Sequence, residues 1–565
     1  MYTLITVDIG NNIWYTLPMF IKITKAKTNE YVQLVRSYRE DGRVKHKVIL
    51  NLGKLKDIEN NPSFQRLAQR LTEISKLQKS ADIRDCSEAE IVNWGYLVYQ
   101  RIWKEFNLDK FLSHLTRNRK VQFSLSDASF LMVVQHLLQP RSKLATYNNQ
   151  GRFLNLPKVT LNQLYRSLDL LSEYKEQLEE ALFQANRNLF NMQIDMVFYD
   201  VTTFSFESVR ADSLRDFGFS KNGKYKEVQV VMGLMIDGEG RPIGYELFPG
   251  NTFDGKTLDH ALAALRERFN IRRVIIVADR GINSKVNLKK IVDQGYSYIF
   301  ASRLKKMSKS VQKEIFTGGY EEMEFPEGSE EKIRYKIIDY VNRVKDENGK
   351  THKLPEHLVI TYSERRAKKD REDRSRLVEK AMSLLDNKSK IRADNKRGGK
   401  KYLKEISSGQ VDWTLDEEAV LRDEQFDGYY GIQTSEKDLR PLEVLSAYHT
   451  LWKIEESFRI MKSTLEVQPI FHWTETRIKG HFVACFLAFL LERTLELQLK
   501  RAGEHTSCEQ IREALNSMNF SKVDIDDKTY LIKTRGTEFS KKILRLLRFK
   551  PLPNVMSSDE FAKGL

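Results

Sequence analysis

The spacing of apolar residues changes character several times along the chain. From Met19 to Leu55 the run MFIKITKAKTNEYVQLVRSYREDGRVKHKVILNLGKL alternates apolar and polar positions around an EDG turn, which predicts strands and a hairpin rich in Lys and Arg. From about Asn60 to Phe190 the spacing becomes helical, as in EIVNWGYLVYQRIWKEF and LNQLYRSLDLLSEYKEQLEEALF, with breaks at Pro140 and Pro157. At Ile194 the pattern turns to strands: IDMVFYDVTTFSF, KEVQVVMGLMID and RPIGYELFPG. A helix from about Gly255 to Phe269, the buried strand RRVIIVAD, a helix near Lys285 to Asp293 and the strand YSYIFAS complete a mixed sheet carrying helices.

The segment Tyr448 to Lys462 is expected to form one helix with two faces turned away from solvent. At about 100° per residue, Leu451, Ile454, Phe458, Met461 and Leu465 share an apolar stripe. Trp452, Glu455, Arg459 and Lys462 fall on a second stripe with Tyr448, while Lys453 and Ser457 point to the remaining, solvent side. The plainer account of that second stripe is an exposed face with charge pairs such as Glu455 with Arg459, each contributing about 0.3 kcal/mol.

Composition narrows the partner. The 565 residues hold 93 Lys and Arg against 77 Asp and Glu, a net charge of +16, which favours a polyanion such as nucleic acid. Cys86, Cys485 and Cys508 lie far apart with no CxxC pair, which supports neither a disulfide framework nor a zinc knuckle and suits a reducing cytoplasm. The run Phe482 to Leu491 is about half a membrane span and predicts a buried helix. No membrane partner is expected.

Carboxylates then supply the chemistry. Asp200 lies toward the end of the first strand after Ile194, and Asp279 directly follows VIIVA; ligand sites in α/β sheets collect at such strand ends. Either Asp alone could be a loop residue or a helix cap. Together with Glu455 they would repel one another unless they share hard divalent cations such as Mg²⁺. Two such ions activate an attacking hydroxyl and stabilise a leaving oxygen, which joins the triad to the basic charge as phosphoryl transfer on nucleic acid.

YDVTTF around Asp200, ADRG around Asp279 and the Tyr448 to Lys462 segment together resemble the three signature blocks of the DDE transposases of bacterial insertion sequences. The similarity lies in the branch whose third block carries Tyr, Arg, Glu and Lys, with Glu seven positions after Tyr and Lys seven after Glu. Tyr448, Glu455 and Lys462 fit that spacing, and the Arg position is Leu451. YELFPGNTFDGKTL, FDGYYGIQTS and RIKGHFVACFLAFLL extend the likeness over roughly residues 85 to 500.

The resemblance implies an α/β, ribonuclease H-like core and two Mg²⁺ ions, with Mn²⁺ as an alternative, held by Asp200, Asp279 and Glu455. It also implies cleavage at element ends followed by attack of the freed 3′ hydroxyl on target DNA. The partners would be double-stranded DNA, as terminal inverted repeats and target, and a second copy of the chain when two ends are paired. The setting would be a bacterial cytoplasm, at the nucleoid. Tyr448, Trp452, Arg459 and Lys462 are the expected DNA contacts, with Arg459 the nearest replacement for the cation missing at Leu451.

The expected organisation is a basic β unit and linker (1–80), a helical DNA-binding or connecting domain (81–190), the core in two parts (191–302 and 440–500), a β-rich insertion between them (303–439) and a basic tail (501–565). In the insertion, Lys396, Arg397, Lys400 and Lys401 form a candidate DNA-backbone contact, and Trp413, Tyr429 and Tyr430 are candidates for stacking on an unpaired base. In the tail, SKKILRLLRFK is a basic amphipathic segment suited to DNA or a partner subunit. Two rival classes use the same residues: a ribonuclease H-like nuclease acting on RNA or branched DNA, and a non-catalytic DNA-binding descendant of a transposase. Residues 1–18 differ sharply in composition from the strand-like segment that begins at Met19, so translation is expected to begin there. Deleting them should leave thermal unfolding and DNA binding unchanged, whereas loss of either would make them part of the N-terminal sheet.

Overall fold

A computed structural model describes residues 19–40, 43–59, 61–74, 87–190, 192, 194–218, 226–324, 332–345, 349–386, 391, 398–406, 412–525 and 528–564. Residues 1–18, Cys86, Lys396 and Arg397 lie outside this set. The chain divides into two compact units, Met1–Glu88 with Val523–Tyr530, and Ala89–Lys522 with Leu531–Leu565. In the first, β1 (Met19–Ala26), β2 (Asn29–Glu40) and β3 (Arg43–Lys54) form an antiparallel sheet in that order. Val32 and Val35 are buried there, while Ile21, Ile23, Val48 and Leu50 remain exposed.

The second unit opens with β4 (Glu90–Asn93) and a set of helices that includes Leu125–Leu138, Lys143–Asn149 and Leu161–Glu173. The strands read from the sequence come next, as β5 (Met196–Ser205), β6 (Gln229–Ile236), β7 (Pro242–Pro249), β8 (Ile275–Ala278) and β9 (Ser297–Ala301), with the helix Lys285–Asp293 between the last two. β5, β6 and β7 are antiparallel neighbours, whereas β8 and β9 continue the sheet in parallel from the other side of β5. This is the mixed α/β sheet expected of a ribonuclease H-like core. β6, QVVMGLMI, is buried along its whole length because both faces of the sheet are covered, which is why it is continuously apolar rather than alternating.

The segment after β9 does not form a separate layer. β10 (Glu321–Glu324), β11 (Lys332–Lys345), β12 (Thr351–Tyr362) and β15 (Tyr429–Thr434) extend the same sheet, giving nine strands in the order β10-β11-β12-β15-β9-β8-β5-β6-β7. The charged segment ERRAKKDREDRSRLVEKAMSLL forms the helix Glu364–Leu385, followed by the small hairpin of β13 (Leu403–Ile406) and β14 (Asp412–Leu415). Near the C-terminus, β16 (Asn519–Ile525) pairs with β4 and adjoins β17 (Lys528–Lys533), which adjoins β18 (Val555–Ser557).

The helix Glu475–Arg501 is buried along nearly its whole length, including every residue from Phe482 to Leu491. It packs closely on Leu161–Glu173 at Gly480, where an added Cβ would overlap the Leu168 carbonyl. No described helix is long and apolar enough to cross a membrane.

The joint between core and insertion is a buried polar cluster. Tyr298 on β9 donates its hydroxyl to Glu356 on β12 at 2.5 Å, and Asn342 on β11 donates its amide to the same oxygen at 3.1 Å. Burial pushes the Glu356 carboxyl up to about 7, with the Tyr298 and Asn342 bonds opposing the shift. A carboxyl raised in the folded state holds its proton more tightly there than in the unfolded chain. Its stabilising contribution is therefore complete below the ordinary carboxylate range and is lost as pH rises through about 7, a change on the order of 3 kcal/mol. Glu356→Gln removes this titration. The fall in melting temperature between pH 5 and pH 8.5 should be smaller in Glu356→Gln than in the wild type, and equal falls would contradict the assignment.

Candidate active site

Strand pairing places the first two carboxylates. β5 and β8 are in parallel register from Met196 opposite Ile275 to Tyr199 opposite Ala278, so the next residues along the two strands are Asp200 and Asp279. Neighbouring strands lie about 4.8 Å apart, so the two residues follow directly on adjacent, paired backbone positions. Asp200 is half-buried and Asp279 exposed, and the Asp279 carboxylate accepts the Arg280 backbone N–H.

The third block is not one helix. Pro441–His449 ends beyond Tyr448, a turn occupies Thr450 and Leu451, and a second helix runs from Trp452 to Arg459. The break has a local cause: the Thr450 hydroxyl bonds back to the Ser446 carbonyl at 2.9 Å, and Leu451, Lys453 and Ile454 each donate to the carbonyl three residues back rather than four. A wider π-turn over Ile460–Thr464, closed by Leu465 N–H to the Ile460 carbonyl, then shifts the phase of Lys462. Helical-wheel angles measured from Tyr448 hence do not carry through the segment.

Its packing is nonetheless directed at β5. Leu451, Ile454, Phe458, Met461 and Leu465 are all buried in the core cluster that also holds Phe198 and Phe204 of β5, as the apolar stripe predicts. Lys462 donates to the Thr202 hydroxyl at 2.7 Å and lies over the Phe204 ring at 5.3 Å. Thr202 is two residues beyond Asp200 and thus on the same face of the strand. Glu455 is exposed on the helix that rests on β5.

The expected solvent side of this helix is covered. Ser457 is fully buried and donates to the Lys453 carbonyl at 2.7 Å, and Lys453 reaches the Gly238 carbonyl at 2.6 Å. The cause is Arg493 of the long helix Glu475–Arg501, which packs against this side and pairs with Glu456 at 3.2 Å.

The remaining expected contacts divide between clefts. Asp279 lines an open cleft of about 800 Å³ together with Arg280, Arg303, Lys305, Arg366 and Tyr430. Tyr448 reaches its edge, bonding Tyr430 hydroxyl to hydroxyl at 2.8 Å. Burial raises the Tyr448 phenol far above its ordinary range, aided by Tyr430 and by the negative charge of Asp279. Arg459, with 72% of its side chain exposed, is 3.8 Å from Glu456 and lines a different cleft with Glu496 and Cys508. Trp452, 48% exposed, faces a third, with Lys453 and Arg493. Tyr429 belongs to an aromatic cluster with Phe316, Tyr320 and Tyr362, and Lys400 lies 5.4 Å from the centre of the Trp413 ring.

A buried polar cluster escaped the sequence reading. His136 donates from Nδ1 to the Leu465 carbonyl at 3.0 Å, and His481 from Nε2 to the Val467 carbonyl at 2.9 Å. Those bonds fix both tautomers and aim the remaining lone pairs at the Lys143 ammonium, 3.1 and 3.3 Å away. Burial holds His136 down to about 3 and Lys143 down to about 8, and pushes the neighbouring Cys485 thiol up to about 12. His136, His481 and Cys485 are the one grouping among the described residues whose metal-ligating atoms converge within 4.8 Å, and Lys143 fills the point of convergence. The cluster fastens the turn just beyond Lys462. Only the i, i+4 pair His481 and Cys485 gave a local signal, since the other members come from distant helices.

Two family models match parts of the chain. Residues 21–82 match the family described as IS1634 family transposase, N-terminal domain, and residues 192–491 match the transposase DDE domain. No curated protein matches the chain.

Proposed function

The chain belongs to the DDE transposases of insertion sequences, and from that membership we propose that it cuts DNA at the ends of its own element and joins the freed 3′ hydroxyls to target DNA. The observation that supports this reading is the β5–β8 register, which brings Asp200 and Asp279 to adjacent strand positions, with Asp279 lining an open cleft and the Glu455 helix resting on β5. Carboxylate oxygens with solvent on one side suit a hard divalent cation. Asp200, Asp279 and Glu455 would hold two Mg²⁺ ions, or Mn²⁺ in their place. Such ions, when bound, activate the attacking hydroxyl and neutralise the leaving oxygen of a phosphodiester.

The protein's own groups orient the strand. Lys462, fixed to Thr202 beside Asp200, offers a cation to the phosphate backbone, and the Tyr448–Tyr430 pair forms a rigid polar wall next to Asp279. Arg280, Arg303 and Lys305 line the same cleft and favour a polyanion there, in keeping with the net charge of +16. The basic strands β1 to β3 are assigned to recognition of the element's terminal inverted repeats, and two copies of the chain would pair two ends. Trp452 and Arg459, also expected to contact DNA, line other clefts.

Asp200→Asn, Asp279→Asn and Glu455→Gln keep side-chain shape and remove the metal-binding charge. Each should lower Mg²⁺-dependent cleavage of DNA carrying the element's ends by on the order of 10³-fold or more, while end binding in a gel-shift assay stays near wild type. Wild-type cleavage by any one of the three would remove that residue from the site.

A further inference from the structure

Leu451 is buried in the core and offers nothing to a DNA strand, so a phosphate beside Asp279 would be gripped by the residues that line the same cleft. We infer that Arg366, contributed by the insertion helix Glu364–Leu385, is the arginine that holds the strand-end phosphodiester beside Asp279; the inference rests on the transposase reading above.

Four observations converge on Arg366. Its guanidinium carbon sits 4.2 Å from the centre of the Tyr430 ring, stacked on the residue whose hydroxyl bonds Tyr448. Arg366 and Asp279 line the same cleft, and both charges act on the Tyr430 phenol. The nearest carboxylate, Asp370, lies 3.6 Å from its Nε, a distance that forms only a weak pair at an exposed site. With 44% of its side chain exposed, the guanidinium keeps donors open to the cleft.

The chemistry suits a phosphodiester. A guanidinium presents parallel N–H donors that match two phosphate oxygens, and stacking on an aromatic face orients the fork before the ligand arrives. The helix itself is held in place at its start, where the Ser363 hydroxyl accepts the Arg366 backbone N–H at 3.3 Å, and further along, where Arg374 pairs with Asp427 and Glu424. The helix Glu364–Leu385 therefore brings a guanidinium to the cleft that Asp279 lines. Arg459 lines a different cleft, with Glu496 and Cys508.

The test measures binding of fluorescent end DNA by the full chain across a salt series, with Ca²⁺ in place of Mg²⁺ so that no strand is cut. Arg366→Met should weaken binding about tenfold and reduce the slope of log affinity against log salt by about one. Arg366→Lys should keep the slope while losing part of the affinity, because charge remains and the fork does not. A merely structural role through Tyr430 would cost affinity equally in both variants with the slope intact, and that result would overturn the inference. So would an unchanged Arg366→Met alongside an Arg459→Met that loses affinity and slope. Wild-type protein that neither binds nor cuts end DNA would instead bring down the transposase reading, and this inference with it.

Discussion

The parallel pairing of β5 with β8 is the constraint on which the rest of the core depends. It carries Asp200 and Asp279 to adjacent positions just past the last paired residues. Two like charges that close destabilise the fold unless cations offset them. The surroundings are built accordingly: Lys462 is tied to Thr202 on one side, Arg280 comes directly after Asp279, and Arg303 donates to the Arg280 carbonyl at 2.9 Å. The ends of two central strands thus gather negative charge with cations close by.

Holding the Glu455 helix against β5 falls to the core. The helix Trp452–Arg459 keeps its place because its apolar side is buried against β5 and its opposite side is closed by Ser457, Lys453 and the Glu456–Arg493 pair. Beyond Lys462, the turn at Leu465 and Val467 is fixed by His136 and His481 around the Lys143 ammonium. An ammonium buried among imidazoles needs both rings neutral, and burial ensures that they are. The segment from Trp452 to Leu465 is thus positioned from behind by helices remote in sequence.

Much of this was legible from the chain because it is written locally. Alternation around Asp200, the apolar run before Asp279 and the apolar positions from Leu451 to Leu465 each report their element directly, and the core strands lie where those patterns put them. What escaped depends on partners far away. The break at Thr450 and the π-turn at Ile460 are choices between backbone hydrogen bonds that residue spacing does not encode. Whether β11, β12 and β15 form their own sheet or extend the core is decided by the pairing of β15 with β9. Arg366 is one of many charges in its helix, and only the fold sets it on Tyr430.

The central claim is that Asp200, Asp279 and Glu455 form one metal site when DNA is bound. Anomalous scattering from crystals grown with Mn²⁺ and cleaved end DNA tests it most directly. The account predicts manganese density in contact with the Asp200 and Asp279 carboxylates, with Glu455 as a further ligand. Manganese bound elsewhere with DNA seated in the cleft, or density at this edge that leaves Glu455 unligated, would contradict it.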